Sequence, residues 1–286
     1  MKNKINGIIL VNKERGVSSN KVVNKVKYLL NAEKAGHLGT LDVLGEGLLP
    51  VTLGKGTKLF DFFLNKDKVY KTIFKFGETT ATLDLEGEIT NRNDVIVSTN
   101  DIKNILNNFI GKQKQMPPLY SAKKINGRKA YELAREGKEA SLKPKEIEIY
   151  SIKLLKEIAT NVFEFEVHCS SGTYIRSLCR DIASSLSTFG VMLSIQRTKC
   201  GMFSIDNSFT IQEIQQGQYH IINSDSVFDF EDIILNANDS QKLLNGVAVN
   251  TNKDDCGDIK VYNQDKEFLG IGFISQGKLK SKLRLI

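Results

Sequence analysis

Cysteine and histidine are scarce in this 286-residue chain, with four of the first and three of the second. Cys169, Cys179, Cys200 and Cys256 show no C-x-x-C spacing, and His37, His168 and His220 are scattered. Neither a metal site nor a disulfide framework is supported, and the thiols read as reduced and mostly buried. Long apolar runs are missing as well. The run Ile8 to Val11 holds four residues, too short for a signal-peptide core or a membrane span, so the protein is read as cytoplasmic, with no membrane role. Two phosphate-binding signatures are also absent. In LGEGLLPVTLGKGTK, Lys55 is followed by Gly56, and Leu49 stands where a Walker A loop needs its first glycine. GEGLLP lacks the third glycine of a dinucleotide fingerprint, so nucleotide chemistry is disfavoured. No repeat or low-complexity linker interrupts the chain.

What is present is the composition of a globular protein, 41% hydrophobic and 26% charged. Lys and Arg total 40 against 33 Asp plus Glu, and the net charge of +7 favours a polyanionic partner without requiring one. The length suits two domains.

SSNKVVNKVKYLL places Val22, Val23, Val26, Leu29 and Leu30 on one helical face, with Ser18 or Ser19 as N-cap. VYKTIFKF alternates as a strand with Tyr70, Thr72, Phe74 and Phe76 on one side. DIKNILNNFI predicts a helix burying Ile102, Ile105, Leu106, Phe109 and Ile110. KEIEIYSIKLL and NVFEFEVHCS read as strands, the second with Phe163, Phe165, Val167 and Cys169 facing one way. TYIRSLCRDIASSL reads as a helix with Ile175, Leu178, Ile182 and Leu186 on its buried stripe. The expected class is α+β: a mixed, largely antiparallel sheet with flanking helices. From about Val227 a helix, DSQKLLNG, precedes strands with turns at Asn263–Lys266 and Gln276–Gly277. The expected division is 1–226 and a small β-rich tail, 227–286.

The chemistry concentrates in AGHLGTLDVLGEGLLPVTLGKGTK, Ala35 to Lys58, with one His, one Asp and six glycines in 24 residues. Asp42 in a Gly-rich bend between Leu41 and Val43 is either a turn cap, the commoner case in isolation, or a placed reactive group. His37 is an acid–base candidate, although a lone His is more often a hydrogen-bonded structural group. CSSGTYIRSLCRD sets Tyr174 and Arg176 at a strand-to-helix junction, where an Arg supplies a permanent cation to a carboxylate and a Tyr a flat face to a base. Lys123, Lys124, Arg128 and Lys129, interleaved with Tyr120 and Tyr131, form one basic segment; Lys278, Lys280, Lys282 and Arg284 form another. Such runs are usually solvated faces, but two of them suit a phosphodiester backbone.

NKERGVSSN, the Asp42 stretch, KVYKTIFKFGETTATLDLEG, QMPPLYSAKKINGRKAYELAREG, CSSGTYIRSLCRDI and IQRTKCGMF, in that order, resemble the TruB family of tRNA pseudouridine-55 synthases. The resemblance runs from about Ile8 to Thr210, with a weaker match of LLNGVAVN and the last strands to the family's PUA-like RNA-binding tail. It implies a pseudouridine synthase catalytic domain that isomerises uridine at position 55 in the tRNA T-arm, as a monomer without metal or cofactor. It further implies Asp42 as the catalytic aspartate, His37 beside it, Tyr70 stacking on the target base, Arg176 as the ion-pair partner of Asp42 with Tyr174 next to it, and Ile195 lining the pocket. Lys13 and Lys58 match family lysines of structural or RNA-contact role. Val43, Gly45, Glu46 and Glu14 depart from the family pattern, without removing a reactive group. The rival readings are a non-catalytic or dual-role tRNA-folding chaperone and the same chemistry on ribosomal RNA. On this reading the tail from about Val227 is separable: its loss weakens RNA binding and leaves the chemistry possible.

Overall fold

The structure is a computed structural model that describes residues 3–120, 124–125, 128–129 and 142–285. The first part of the chain runs β1 (Gly7–Lys13), α1 (Ser19–Leu29), β2 (Ala35–His37), β3 (Gly45–Leu53), α2 (Phe60–Leu64), β4 (Lys68–Phe76) and the hairpin β5 (Glu78–Thr80) and β6 (Ile89–Arg92). It continues through α3 (Thr99–Leu106), β7 (Gly111–Gln115), the two-residue strands β8 (Lys124–Ile125) and β9 (Arg128–Lys129), β10 (Lys145–Ala159) and β11 (Val162–Cys169). α4 (Ile175–Ser185), β12 (Gly190–Cys200), β13 (Phe203–Ser204) and α5 (Ile211–Gln215) follow. The last part holds β14 (Asp232–Ile234), α6 (Ala237–Leu244), β15 (Val249–Asn250), β16 (Cys256–Tyr262), β17 (Phe268–Ser275) and β18 (Lys278–Arg284).

The central sheet has the order β1-β3-β12-β4-β11-β10-β7, with β2 against β3 and β13 against β12. β3 and β12 run parallel and the other pairs of this sheet antiparallel, giving the mixed sheet expected. The strand alternation holds residue by residue. Tyr70, Thr72, Phe74 and Phe76 of β4 are buried, as are Phe163, Phe165, Val167 and Cys169 of β11 beside them. Phe74 meets Phe165 with ring centroids 4.9 Å apart. α4 covers this face with Ile175, Leu178 and Ile182, each fully buried side chain adding about 1.5–3 kcal/mol to stability.

Two local expectations are refined. Ser18 is the N-cap of α1, accepting from the Lys21 amide at 3.3 Å, which leaves Ser19 free for another task. α3 stops at Leu106 and a 3₁₀ turn, Asn107–Phe109, follows; the chain is already extended at Ile110. Ile110 is therefore 46% exposed rather than part of the buried stripe.

The tail forms its own five-stranded sheet, β14-β16-β17-β18-β15, over Leu235, Leu243, Val249, Ile259, Val261 and Leu279. It does not stand apart. Phe228, Ile271 and Leu285 share one apolar cluster with Ile8, Leu10, Leu48, Phe63 and Phe203 of the first part. Lys58 Nζ donates to the Arg284 carbonyl at 2.8 Å, and Lys282 lies over the Phe62 ring. Among the described residues no helix is long and apolar enough to cross a membrane.

Candidate active site

Asp42 sits in the irregular stretch between β2 and β3, and the carbonyls on either side of it, of Leu41 and Val43, are both held. The Ser19 hydroxyl donates to the Leu41 carbonyl at 2.8 Å and accepts from the Leu41 amide at 2.9 Å. The buried Lys13 ammonium donates to the carbonyls of Glu14 (2.9 Å), Val17 (2.6 Å) and Val43 (3.4 Å). The Gly16 amide also donates to Val43, and the Gly45 amide closes the turn on the Asp42 carbonyl at 3.0 Å. Burial lowers the pKa of Lys13, while the carboxylates of Asp42 and Glu46 oppose that shift. Lys13 is thus a tie beneath the loop and not an exposed RNA contact.

Gly39 has φ +130° and Gly47 φ +94°, conformations that side chains rarely adopt, and a Cβ on Gly47 would lie 2.5 Å from the Arg197 carbonyl oxygen. The glycines let the loop press against β12. Ile195 of β12 stands opposite Gly45, and its Cγ2 is 3.6 Å from where a Gly45 Cβ would be, so it lines the same place.

The Asp42 carboxylate accepts from Arg176 Nη2 at 2.9 Å; its side chain is 56% exposed against 8% for Arg176. One side of the carboxylate is gripped and the other is open. Arg176 is fixed in turn. Nη1 reaches the Asp84 carboxylate at 3.1 Å and the Thr82 carbonyl at 2.9 Å, and Nη2 also reaches the Tyr120 carbonyl. Asp84 is buried and additionally accepts from the Thr82 hydroxyl and the Glu86 amide. A rigid cation between two carboxylates orients the exposed one.

Tyr70 faces Arg197 across the β4–β12 pair and is 9% exposed. Burial raises the pKa of its hydroxyl, partly offset by the Arg197 guanidinium, so the phenol stays protonated. His37 ends β2 and accepts from the Gly39 amide through Nδ1 at 3.3 Å, which places its proton on Nε2 when neutral. Burial first, then Arg197, lowers its pKa. Tyr174 is the N-cap residue of α4; its backbone is clasped by Gln115, amide to Oε1 at 2.8 Å and carbonyl to Nε2 at 3.1 Å. This fixes where α4 begins, and hence where Arg176 stands.

The geometry therefore brings Asp42, Arg176 and Ile195 together, sets His37 at the start of the same loop and Tyr70 in the neighbouring strand. Asp84, Arg197 and Ser19 are additions. Asp84 in TLDLEG reads as a turn acid, and Arg197 in a strand reads as a surface cation; neither carries a local signal of burial. The basic segment around Lys123 and Tyr131 lies outside the described residues, and of Lys124, Arg128 and Lys129 only the backbone is described, paired as β8 and β9. In the tail, Lys278, Lys280, Lys282 and Arg284 alternate outward on β18, but Lys282 is paired with Asp258 at 2.6 Å.

A sheet of this order, with an aspartate loop clamped to the helix behind it, is the fold of a pseudouridine synthase. The chain superposes on a chain of a Cbf5–Nop10–Gar1 complex with a TM-score of 0.70, at 22% identity over 98% of this chain and 85% of that one. An archaeal box H/ACA sRNP Nop10–Cbf5 complex gives 0.67 at 20% identity, over 98% and 86%. Residues 27–175 match the TruB family pseudouridylate synthase N-terminal domain, and residues 232–286 the C-terminal domain of pseudouridine synthase II TruB. A tRNA pseudouridine synthase B of Clostridium novyi (strain NT) is 38% identical over 99% of this chain and all of its own length. One of Francisella philomiragia is 38% identical over 97% of this chain and 94% of its own. The chain belongs to the TruB family.

Proposed function

We propose that this protein isomerises uridine to pseudouridine at position 55 in the T-arm of tRNA. The observation that carries the chemistry is the Asp42 carboxylate, open on one side and held on the other by a buried Arg176. The reaction breaks the N1–C1′ bond, with the electron pair leaving on N1. The base then turns and bonds to C1′ through C5; the C5 proton is lost and N1 gains one. Nothing is oxidised and no group is exchanged, so the isomerisation calls on no redox partner. Asp42 starts the cleavage, by attack at C1′ or by proton removal at C2′. A permanently charged Arg176 keeps it aimed.

The target base is stacked within RNA and has to leave the stack at a cost of a few kcal/mol. Stacking on the Tyr70 ring returns about 1–3 kcal/mol of that. His37, with Nε2–H directed away from Gly39, offers the RNA a neutral donor where the base departs. Ile195 closes the pocket beside Asp42, and Tyr174 sets the start of α4. In this reading residues 1–226 form the catalytic domain and 227–286 a PUA-like RNA-binding domain whose outward β18 cations contact phosphates. The protein acts as a monomer in the cytoplasm.

Asp42→Asn tests the assignment, because Asn keeps the shape and loses the charge. The variant folds and binds unmodified tRNA, and positional mapping finds no pseudouridine in a time that takes the wild type to completion. Wild-type-like conversion by the variant overturns the role assigned to Asp42; a wild type that binds tRNA and forms no pseudouridine leaves the tRNA-binding chaperone.

A further inference from the structure

Arg197 is 1% exposed, and among the described residues no carboxylate lies within ion-pair distance of it. A guanidinium in that position is expensive unless its N–H groups find acceptors. They find backbone carbonyls. Nε donates to Leu48 at 2.9 Å, Nη2 to Gly39 at 3.0 Å and Nη1 to Thr40 at 3.5 Å. Leu48 belongs to β3, after Asp42; Gly39 and Thr40 precede it. The fork therefore spans the Asp42 loop at both ends. Arg197 is also the direct partner of Tyr70 across β12 and β4 and of Gly47 across β12 and β3. The Gly39 peptide is gripped twice, its amide by His37 Nδ1 and its carbonyl by Arg197.

We propose that Arg197 is a positioning residue that holds the Asp42 loop at a fixed distance from the Tyr70 ring. It has no direct part in bond breaking. The inference rests on the reaction proposed above, in which the Asp42 carboxylate meets the sugar while Tyr70 meets the base of the same nucleotide. Those two contacts lie on opposite sides of the N1–C1′ bond, so an error in their spacing acts on the reacting bond and not on RNA docking. A planar fork suits three carbonyls spread along two segments. A lysine supplies one compact ammonium and cannot span them, so charge alone does not replace the fork.

The test uses the full-length protein and unmodified tRNA transcript, with Arg197→Lys, Arg197→Gln and Gly39→Ala. The last keeps the guanidinium but moves its acceptor, since Gly39 has φ +130°, a conformation that a residue with a Cβ rarely adopts. Thermal melting, tRNA affinity and single-turnover conversion at saturating enzyme are measured for each. Affinity is expected to stay within a few-fold, while the single-turnover rate falls about 100-fold in the Lys and Gly39→Ala variants alike, as for a reacting group misplaced by about 1 Å. Combining Arg197→Lys with Tyr70→Phe is expected to lower the rate no further than the slower single variant, because the two act as one unit. Gly39→Ala, at a half-buried loop position, keeps the test decisive if removing the arginine prevents folding. A near-wild-type rate in either Arg197→Lys or Gly39→Ala overturns the proposal. So does a loss of rate that merely follows losses of affinity and melting temperature. Wild-type conversion is the reference, and its absence overturns the assigned reaction itself rather than the spacing argument alone.

Discussion

The Asp42 loop and the C-terminal sheet are attached to the rest of the protein by opposite means. The loop is irregular and glycine-rich, and polar side chains tie it one peptide group at a time: Lys13 to Val43, Ser19 to Leu41, Arg197 to Gly39 and Leu48. The tail is regular and hydrogen-bonded within itself, and joins the body through an apolar seam of Phe228, Ile271 and Leu285 against Ile8, Leu10, Leu48, Phe63 and Phe203. Directional ties fix coordinates; an apolar seam fixes stability. A substitution in the loop should therefore change rate more than folding, and a cut in the tail should do the reverse.

The largest expected effect breaks the comparison on the tail side. Ending the chain before residue 227 uncovers the body half of the seam, where each large side chain contributes about 1.5–3 kcal/mol. Several together match the whole stability of a domain, about 5–15 kcal/mol. Circular dichroism and melting of the truncated protein should show loss of the native body and not a folded enzyme with weaker RNA affinity. The shared core argues against the separable tail that an outward row of lysines suggests. A cooperatively melting, active 1–226 fragment would remove the seam from the account of stability.

Next comes Asp84→Asn, which sharpens the loop side. The change keeps the side-chain shape but leaves Arg176 facing a neutral group in a site where the two side chains are 5% and 8% exposed. Breaking a buried pair costs about 3 kcal/mol or more. The misaimed Arg176 should lower single-turnover conversion about 100-fold with tRNA affinity retained. Equal rates would show that the Thr82 and Tyr120 carbonyls suffice to aim Arg176.

The smallest effect concerns His37, whose pKa is lowered from 6.5 by burial and by Arg197. In the unfolded chain His37 takes up a proton near pH 6.5, and in the folded chain only at lower pH. The contribution to stability is full above about pH 6.5 and is lost as pH falls from there through the lower, folded-state pKa. His37→Asn keeps an acceptor for the Gly39 amide and cannot titrate, so the drop in melting temperature between pH 8 and pH 5.5 should be smaller in the variant, by about 1–3 °C. Identical pH profiles would place the His37 pKa at its unfolded value.

Much of this was legible in the residues. The alternation of VYKTIFKF and VFEFEVHC set which faces of β4 and β11 are buried, because a strand's period of two leaves one register compatible with a core. The resemblance of GTLD and GTYIR to family blocks paired Asp42 with Arg176, and the two side chains lie 2.9 Å apart. Ser18 and Ser19 could not be told apart as caps, since either hydroxyl can reach an N-terminal amide; Leu41, 22 residues away, decides it. Ile110 was misplaced because helical spacing does not show where a helix ends.

The sequence by itself determined the strand faces, the helix stripes, the turn glycines and the family, all of which depend on periodicity or on short contiguous patterns. Only the tertiary structure decided that β3 and β12 run parallel beside each other, that Asp84 completes the grip on Arg176, that Arg197 is buried beneath the Asp42 loop, and that the tail shares a core with the body. Those features depend on partners far apart in the chain, 94 residues for Arg176 and Thr82 and 226 for Lys58 and Arg284. Whether an arginine or aspartate is solvated or buried is settled by what the fold brings against it, and no local pattern of residues encodes that.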